Sequence, residues 1–556
     1  MEQVIKAPPL VTTGGFSMSH IGNYSPDSAS KHDPYSYYLS GNINFKIKGV
    51  VDLPVSFAYT NNQATANLSQ PFNRLALSPS YKWIQTHLGY ASMQFSPYTL
   101  SGHEFFGAGV ELSPEEIPWK FAAMYGRFKK AVRPDSAVLE PSYLRTGGGF
   151  KVAYTGKNAT VGFNLFKAKD DAGSVHFNDG DSTYISPQDN LAGSMDVQLK
   201  FPYGIAVAAE YGISALNRHM ANLDSTHLSL ADRLFYREGD VAVHHAFKTS
   251  VSQSSSWGRI GATYERVAPN YLTLGAYYFT NDFENITADF SSTLIKWLHF
   301  SVSAGTQRDN LEQQKVNTSR RAIFSANTTS PITKKLTLGL AFSNVQSFVH
   351  IRDAYDQITQ TNEYQNLDTL NFTQLNLSAS SNINYVLASS KTQRQNLNLM
   401  LSYQEASEQQ NDDERFIGSR IYNGAAAYQI AFIPSKLNIS TTVSHNLNDT
   451  PEQRLTVTSY NLSLQKTLWD HFKTSMTGTY SQSANRGGTL SNITNMRLSG
   501  AYTLLKKHNF NLSLSMLDSR GVQKHSTLYS ANLAYSYIFN FTVDRQGNGL
   551  GVKGNF

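Results

Sequence analysis

The sequence has no cysteine. That single absence removes disulfide scaffolds, thiol nucleophiles and thiolate metal sites. Charge is also scarce: 16% of residues are Asp, Glu, Lys or Arg, where a soluble domain carries about 25%. No run of about 18 or more apolar residues occurs, so no transmembrane helix is expected. There is no Lys/Arg block and the net charge is only +6, so nucleic acid is not an expected partner. The opening MEQVIKAPPL lacks the apolar core of a signal peptide. Helical periodicity is nearly absent. Its one exception is Asp224–Arg237, whose start suits a helix cap or a structured loop equally.

What is present is alternation. Apolar residues Leu397, Leu399, Leu401 and Tyr403 are separated by Asn398, Met400 and Ser402. The same pattern holds from Leu298 to Ala304, from Phe510 to Met516 and from Leu533 to Phe541. Shorter versions cover Ile43–Ile47 and Met195–Phe201. A period of two puts the apolar side chains on one face of a strand and the polar ones on the other. Uncharged Asn, Ser, Thr and Gln fill the polar face. Aromatics are rich, with 31 Tyr and 31 Phe, and Tyr is a residue that girdles membrane interfaces.

Connections come in two lengths. Tight ones include Phe201–Gly204, Thr155–Asn158 and Leu505–His508. Long polar ones are expected near 20–35, 170–190, 215–243, 306–320, 347–368, 405–419 and 482–492. Short turns at one end and long loops at the other mark a transmembrane β-barrel. A propeller or a β-solenoid would repeat a motif at a fixed period, and none is seen. The predicted fold is therefore all-β: one transmembrane antiparallel up-and-down barrel with short periplasmic turns and long extracellular loops. Counting the alternating runs gives about 26 strands, in a range of roughly 24–26, and an even number is expected of a bacterial chain. By position, residues 1–10 form an N-terminal periplasmic segment, 11–541 the barrel and 542–556 a C-terminal tail.

The polar face would line the lumen. Parity places Lys46, Lys48, Lys151 and Lys200 inward as candidate lumen-lining residues, giving a weakly basic wall and mild selectivity for anionic or neutral solutes. A slip of one residue reverses each assignment, and the alternative places these lysines at the water-filled rims. A barrel this wide is expected to be filled, since plugs already occupy 22-stranded transporters. Residues 62–105, with Pro71, Pro79 and Pro97, are the candidate lumen-inserted segment. A long outside loop is the other reading of them. The loop at 215–243 and a partner subunit are further candidates. A receptor with an N-terminal plug domain is not expected, because strands begin near residue 11.

On the closing strand Leu528–Phe541, the terminal Phe556, and segments such as Gln70–Ile84, His103–Ser113 and Pro269–Phe283, the chain resembles large outer-membrane β-barrel proteins of the Bacteroidota type, an uncharacterised barrel family. The resemblance implies a bacterial outer-membrane location and names no substrate and no functional residue.

No catalytic constellation is found: no Gly-x-Ser-x-Gly elbow, no His-Glu-x-x-His, no phosphate loop. Gly147-Gly148-Gly149 precedes a strand, where glycine relieves crowding or bends the chain. His244-His245 lacks carboxylates at ligand spacing, so a metal site is not expected. The acidic clusters Asp412-Asp413-Glu414 and Asp179-Gly180-Asp181 lack the full spacing of a calcium loop. The triplets Asn327-Thr328-Thr329 and Asn511-Leu512-Ser513 read as lumen-facing alternation rather than glycosylation sites. The expected function is a channel or translocation pore for polar solutes or polypeptide, plugged by its own segment or a partner. The alternative is a non-transporting accessory or scaffold barrel in a larger outer-membrane or secretion assembly. No enzyme activity and no cofactor are expected. The expected partners are outer-membrane lipid and other envelope proteins.

Overall fold

Alternation turns directly into wall. In the computed structural model the quoted runs lie in the strands Leu298–Arg308, Gln393–Asn411, His508–Gly521 and His525–Gln546. The structure describes residues 8–26, 33–61, 73–133, 141–177, 185–218, 241–277, 279–295, 298–313, 320–344, 347–350, 372–375, 377–411, 414–451, 453–469, 471–522, 525–546 and 549–554.

Twenty-eight strands hydrogen-bond in one sheet. Arg74–Leu77 and Ser80–Tyr81 are two halves of one wall position, each pairing with both neighbours. Gly549–Gly554 is a short addition that folds back on residues 541–546. The wall therefore has 26 positions, all antiparallel and up-and-down. It closes where Leu10–Tyr24 pairs with the last strand, from Leu10 opposite Val543 to Tyr24 opposite Tyr529. The closing strand thus runs past residue 541 to Gln546.

Closure has a physical cause. A backbone N–H or C=O facing hydrocarbon without a partner costs several kcal/mol, so a sheet in lipid can have no edge. Register also fixes the faces. Residues directly opposite each other share a face, and following the pairs around the ring returns every strand to the parity it began with. Ser17, Ser40, Asn42, Ser56, Lys151, Asn164, Glu210, Glu265, Ser301, Asn382, Ser402, Asn423, Ser459, Ser499, Ser513 and Asn532 then all face inward.

The outward face sorts itself by depth. On His508–Gly521 the outward residues run Phe510, Leu512, Leu514, Met516, then Asp518 and Arg520. Asp518 is held by Arg520 at 2.8 Å and by His525 at 2.6 Å. Leu514, Leu498 and Met476 stand opposite one another at mid-belt. At the short-turn end lie Trp83, Trp119, Trp257 and Trp469, all exposed. Indole rings settle at the headgroup level because one edge is polar and the body is apolar. The belt is thus bounded by tryptophans at one end and by ion pairs at the other. A closed, even-numbered antiparallel wall with this belt is a bacterial outer-membrane β-barrel.

Two expected long loops are not loops. Residues 405–419 are spanned by Gln393–Asn411 and Glu414–Phe432, and residues 482–492 by Phe472–Asn485 and Gly488–Leu504. Above the belt the outward face no longer needs apolar residues, so alternation fades while the ladder continues. The segments Asp224–Arg237, Asp179–Asp181 and Asp412–Asp413 lie outside the described residues.

Leu498→Arg, at mid-belt, should destabilise the barrel by about 2–4 kcal/mol, whereas Ser499→Arg, on the lumen side, should change stability little. Urea unfolding in liposomes followed by heat-modifiable gel migration measures both.

Candidate functional site: a lumen filled on one side

The interior is not uniform. On one side, wall and connections make an apolar core that has no place in a simple pore. Met93, Phe105, Met124, Phe128, Phe166 and Ala168 face inward from four wall strands of one side and are buried. Onto them fold two connections from the long-loop end. One is Phe95–Leu100, the tip between the strands Ile84–Gln94 and Ser101–Leu112. The other is 268–282, between Gly258–Val267 and Phe283–Ile295. Phe95, Leu100 and Leu274 join the first core. Tyr98 and Tyr271 form a second with Ala246 and Val267.

Polar contacts latch the tip to the wall. Lys151 Nζ donates to the Phe95 carbonyl at 2.7 Å. Ser96 Oγ donates to Glu210. Tyr98 donates its hydroxyl proton to Glu265 at 3.0 Å, and Lys248 holds the other Glu265 oxygen at 3.1 Å. Burial first, and then the Glu265 carboxylate, push the Tyr98 hydroxyl up. Burial and Glu210 do the same for Tyr271. Both phenols are therefore donors at any ordinary pH.

The two in-folded segments also hold each other. Tyr271 donates to the Tyr98 carbonyl at 2.8 Å, Thr273 Oγ1 to the Thr99 carbonyl at 2.6 Å, and Ser101 N to the Gly275 carbonyl at 2.9 Å. Asn190 and Ser214, both fully buried on the wall, receive the second segment. Ser214 Oγ donates to the Leu272 carbonyl at 2.6 Å, and Leu274 N donates to Asn190 Oδ1 at 3.0 Å. Two glycines allow the close fit. A Cβ at Gly149 would stand 3.1 Å from the Phe95 ring, and one at Gly212 would stand 2.7 Å from Tyr98 Cβ. The glycine run thus makes room for aromatic rings inside the lumen.

The opposite wall is different. From Leu298 round to the closing strand, inward positions carry Asn, Ser and Thr that bond across strands. Ser459 meets Ser481 at 2.8 Å, Asn461 meets Thr479 at 2.8 Å, Ser475 meets Ser499 at 2.6 Å, and Asn423 meets Ser402 at 3.0 Å. Asn327, Thr329, Asn511 and Ser513 are on this face by register, so the two triplets belong to the same ladder. The wall contacts described for the in-folded segments all fall between Met93 and Phe283.

The four sequence-chosen lysines separate. Lys151 faces the lumen and grips the tip. Lys46 faces the lumen, paired with Asp52 at 3.6 Å. Lys200 has lumen parity at the short-turn end, opposite Ala206. Lys48 is in the turn after Tyr35–Ile47, with positive φ (47°), at the rim. Of the segment 62–105, the stretches Arg74–Leu77, Ser80–Tyr81, Ile84–Gln94 and Ser101–Leu112 are wall, and Phe95–Leu100 is the part that lies inside. The segment 268–282 was not singled out from sequence as lumenal. Its one visible signal was Tyr and Phe crowded into a connection, where polar residues are the rule. His244 and His245 point to opposite faces: His245 bonds Tyr211 on the outside at 2.7 Å, and His244 stands opposite Ser214 on the inside. They cannot share a metal. Among the described residues no cluster of three metal-ligating side chains occurs.

A concavity of about 970 Å³ lies on the outer wall, lined by Phe300, Phe342, Leu401 and Tyr422. Its lining belongs to the belt, so it meets acyl chains rather than solutes.

No family model matches the chain, and no curated protein matches it. Solved structures do. The P pilus usher (PapC) translocation pore aligns over 95% of this chain and 99% of its own, at 9% identity and a TM-score of 0.38. The ferric enterobactin receptor (PfeA) of Pseudomonas aeruginosa aligns over 94% of this chain and 81% of its own, at 9% identity and a TM-score of 0.42. The FrpB iron transporter of Neisseria meningitidis aligns over 95% and 81%, at 10% identity and a TM-score of 0.41. These likenesses concern the large outer-membrane barrel alone.

Phe166→Ala should open a cavity beneath Leu274 and Gly275 and cost about 3–5 kcal/mol where the site cannot collapse. Hydrogen exchange should quicken at Leu274 and Gly275 and stay unchanged in the strands from 437 to 521.

Proposed function

We propose that this barrel is a channel, closed in the described state by its own in-folded segments and conducting along the Asn/Ser/Thr wall when they move. One observation carries the reading. The plug is seated on one half of the lumen by specific contacts, while the facing half presents, among the described residues, mostly Asn, Ser and Thr bonded to one another, with Arg394, Lys473 and Arg497 between them. A surface of many weak sites suits passage rather than capture. The solutes it fits are polar small molecules or extended polypeptide. The alternation and closing-strand features that resemble Bacteroidota barrels support that affiliation. The accessory-barrel reading is favoured by how extensively the plug is bonded, and it calls for an envelope protein that stays with the barrel.

The absence of cysteine makes the latch testable. Tyr98→Cys with Gly212→Cys brings two Cβ atoms to about the 3.8 Å spacing of a disulfide, after a small shift. Oxidised, the double variant should be silent in planar bilayers, and reduction should release conductance. Replacing Ser96–Thr99 with glycines should raise conductance without disturbing the wall. Silence of the glycine variant and the reduced double variant alike would sink the channel reading. Co-purification of one envelope protein with the intact barrel from native membranes would then establish the accessory role.

A further inference from the structure

On the outer wall, charge is gathered in rows at the long-loop end, above the belt. One row crosses four neighbouring strands, Gly258–Val267, Phe283–Ile295, Leu298–Arg308 and Arg320–Pro331. Register sets Arg266 opposite Glu284, Glu284 opposite Arg308, and Arg308 opposite Arg320. In sequence these strands contain three acids. Glu265 and Asp289 share the lumen parity, which leaves Glu284 as their carboxylate on the lipid side. Three exposed guanidinium groups therefore share one acid. Glu284 pairs with Arg308 and also accepts the Tyr264 hydroxyl proton at 2.6 Å.

Arg308 facing Arg320 is the telling step. Like charges directly opposite each other weaken a sheet. The neighbouring rim rows avoid that cost. Glu405, Arg420, Asp449 and Arg454 follow one another across four strands, so that each base faces an acid. Asp518 likewise sits between Arg520 and His525.

Depth says what meets the row. Below it the same strands turn apolar at once. Ile286 and Ile260 are exposed there, and Ala262, Ala288 and Ala304 share one rung. At about 3.3 Å per residue, that rung lies about 13 Å from the arginines along the strands. The arginines thus stand at headgroup level on the long-loop side, which is the extracellular side of a bacterial barrel. The small alanines, between the isoleucines, leave a shallow bed for acyl chains. From Arg266 to Arg320 the row spans three strand spacings, about 14 Å, which is room for more than one phosphate.

We propose that this row is a docking surface for a phosphorylated glycolipid of the outer leaflet. Arg266 and the Arg308–Arg320 pair clamp its phosphates, and its acyl chains lie over the alanine rung. A guanidinium fork matches phosphate oxygens two at a time, and an anion held between Arg308 and Arg320 turns their repulsion into attraction for a common partner. A lipid is the occupant because the row faces the membrane and continues directly into the belt. The surface lies outside the lumen, so the proposal stands whether or not the pore conducts.

The test is lipid binding to the full chain in nonionic detergent, read by native mass spectrometry. The probes are bisphosphorylated lipid A, the same lipid stripped of its phosphates, and inorganic phosphate. The bisphosphorylated lipid should bind most tightly. Arg308→Gln with Arg320→Gln should weaken it about tenfold or more, the loss expected when charge-assisted hydrogen bonds are removed. Arg308→Lys keeps the charge without the fork and should weaken it less. Arg420→Gln with Arg454→Gln, in the alternating row, should leave binding unchanged. Heat-modifiable migration checks that each variant keeps its barrel, and Arg320→Gln alone reads the same site if the paired variant does not fold. Binding that ignores the Arg308 and Arg320 variants, or that falls equally with the Arg420 and Arg454 pair, overturns the proposal. So does equal binding of the phosphate-free lipid. Inorganic phosphate that binds as tightly as the lipid overturns the lipid assignment.

Discussion

Hydrocarbon offers a backbone nothing to bond with, and the rest of this structure follows from that. Every N–H and C=O in the membrane must find a strand neighbour, so the sheet closes, Leu10–Tyr24 onto His525–Gln546. Once it closes, each strand has one face for lipid and one for the interior, and the period of two is obligatory. The ladder then decides what lies level with what. It is the register, and not chain distance, that sets Met476, Leu498 and Leu514 side by side in the belt and Ser475, Ser499 and Ser513 side by side within.

A wall of 26 strands solves the backbone problem and creates another, because the interior is too broad to be filled by its own side chains. Here the interior divides. One half grows inward: aromatic rings, glycines that let them lie flat, and two connections returned from the outer end build an ordinary apolar core inside the barrel. Polar latches then orient that core, since each buried donor needs its acceptor. Glu210 and Glu265 serve this purpose, and their charge is engaged by hydroxyl, phenol and lysine partners. Among the described residues, the other half carries inward Asn, Ser and Thr that bond across strands. Packing thus divides the lumen into two unlike halves.

How much of this could be read beforehand differs by feature. The strands were legible wherever the belt imposes alternation, as in Phe510–Met516, and illegible where strands outrun the membrane, as at 405–419 and 482–492. There the outward face is wet, and the pattern loses its cause. The lumen parity of Lys46 and Lys151 was visible from their neighbours, but Lys48 was not separable from them, because a turn changes direction without changing the alternation on either side. The plug was only half visible. Prolines in 62–105 hinted at irregularity, yet much of that stretch is wall, and in 268–282 the one local signal was the crowding of Tyr and Phe in a connection, which does not say which wall strands they meet.

Sequence alone therefore determined the class of the protein. Alternation, scarce charge, missing cysteine and two lengths of connection require a closed membrane barrel, since each is a local response to lipid on one side of the chain. Tertiary structure alone decided which residues meet inside. Tyr98 finds Glu265 across 167 positions of sequence, and Leu274 finds Asn190 across 84. Those relations depend on how the wall curves and which loops turn inward. They are set by contacts between strands that share no sequence neighbourhood, so no local pattern could carry them.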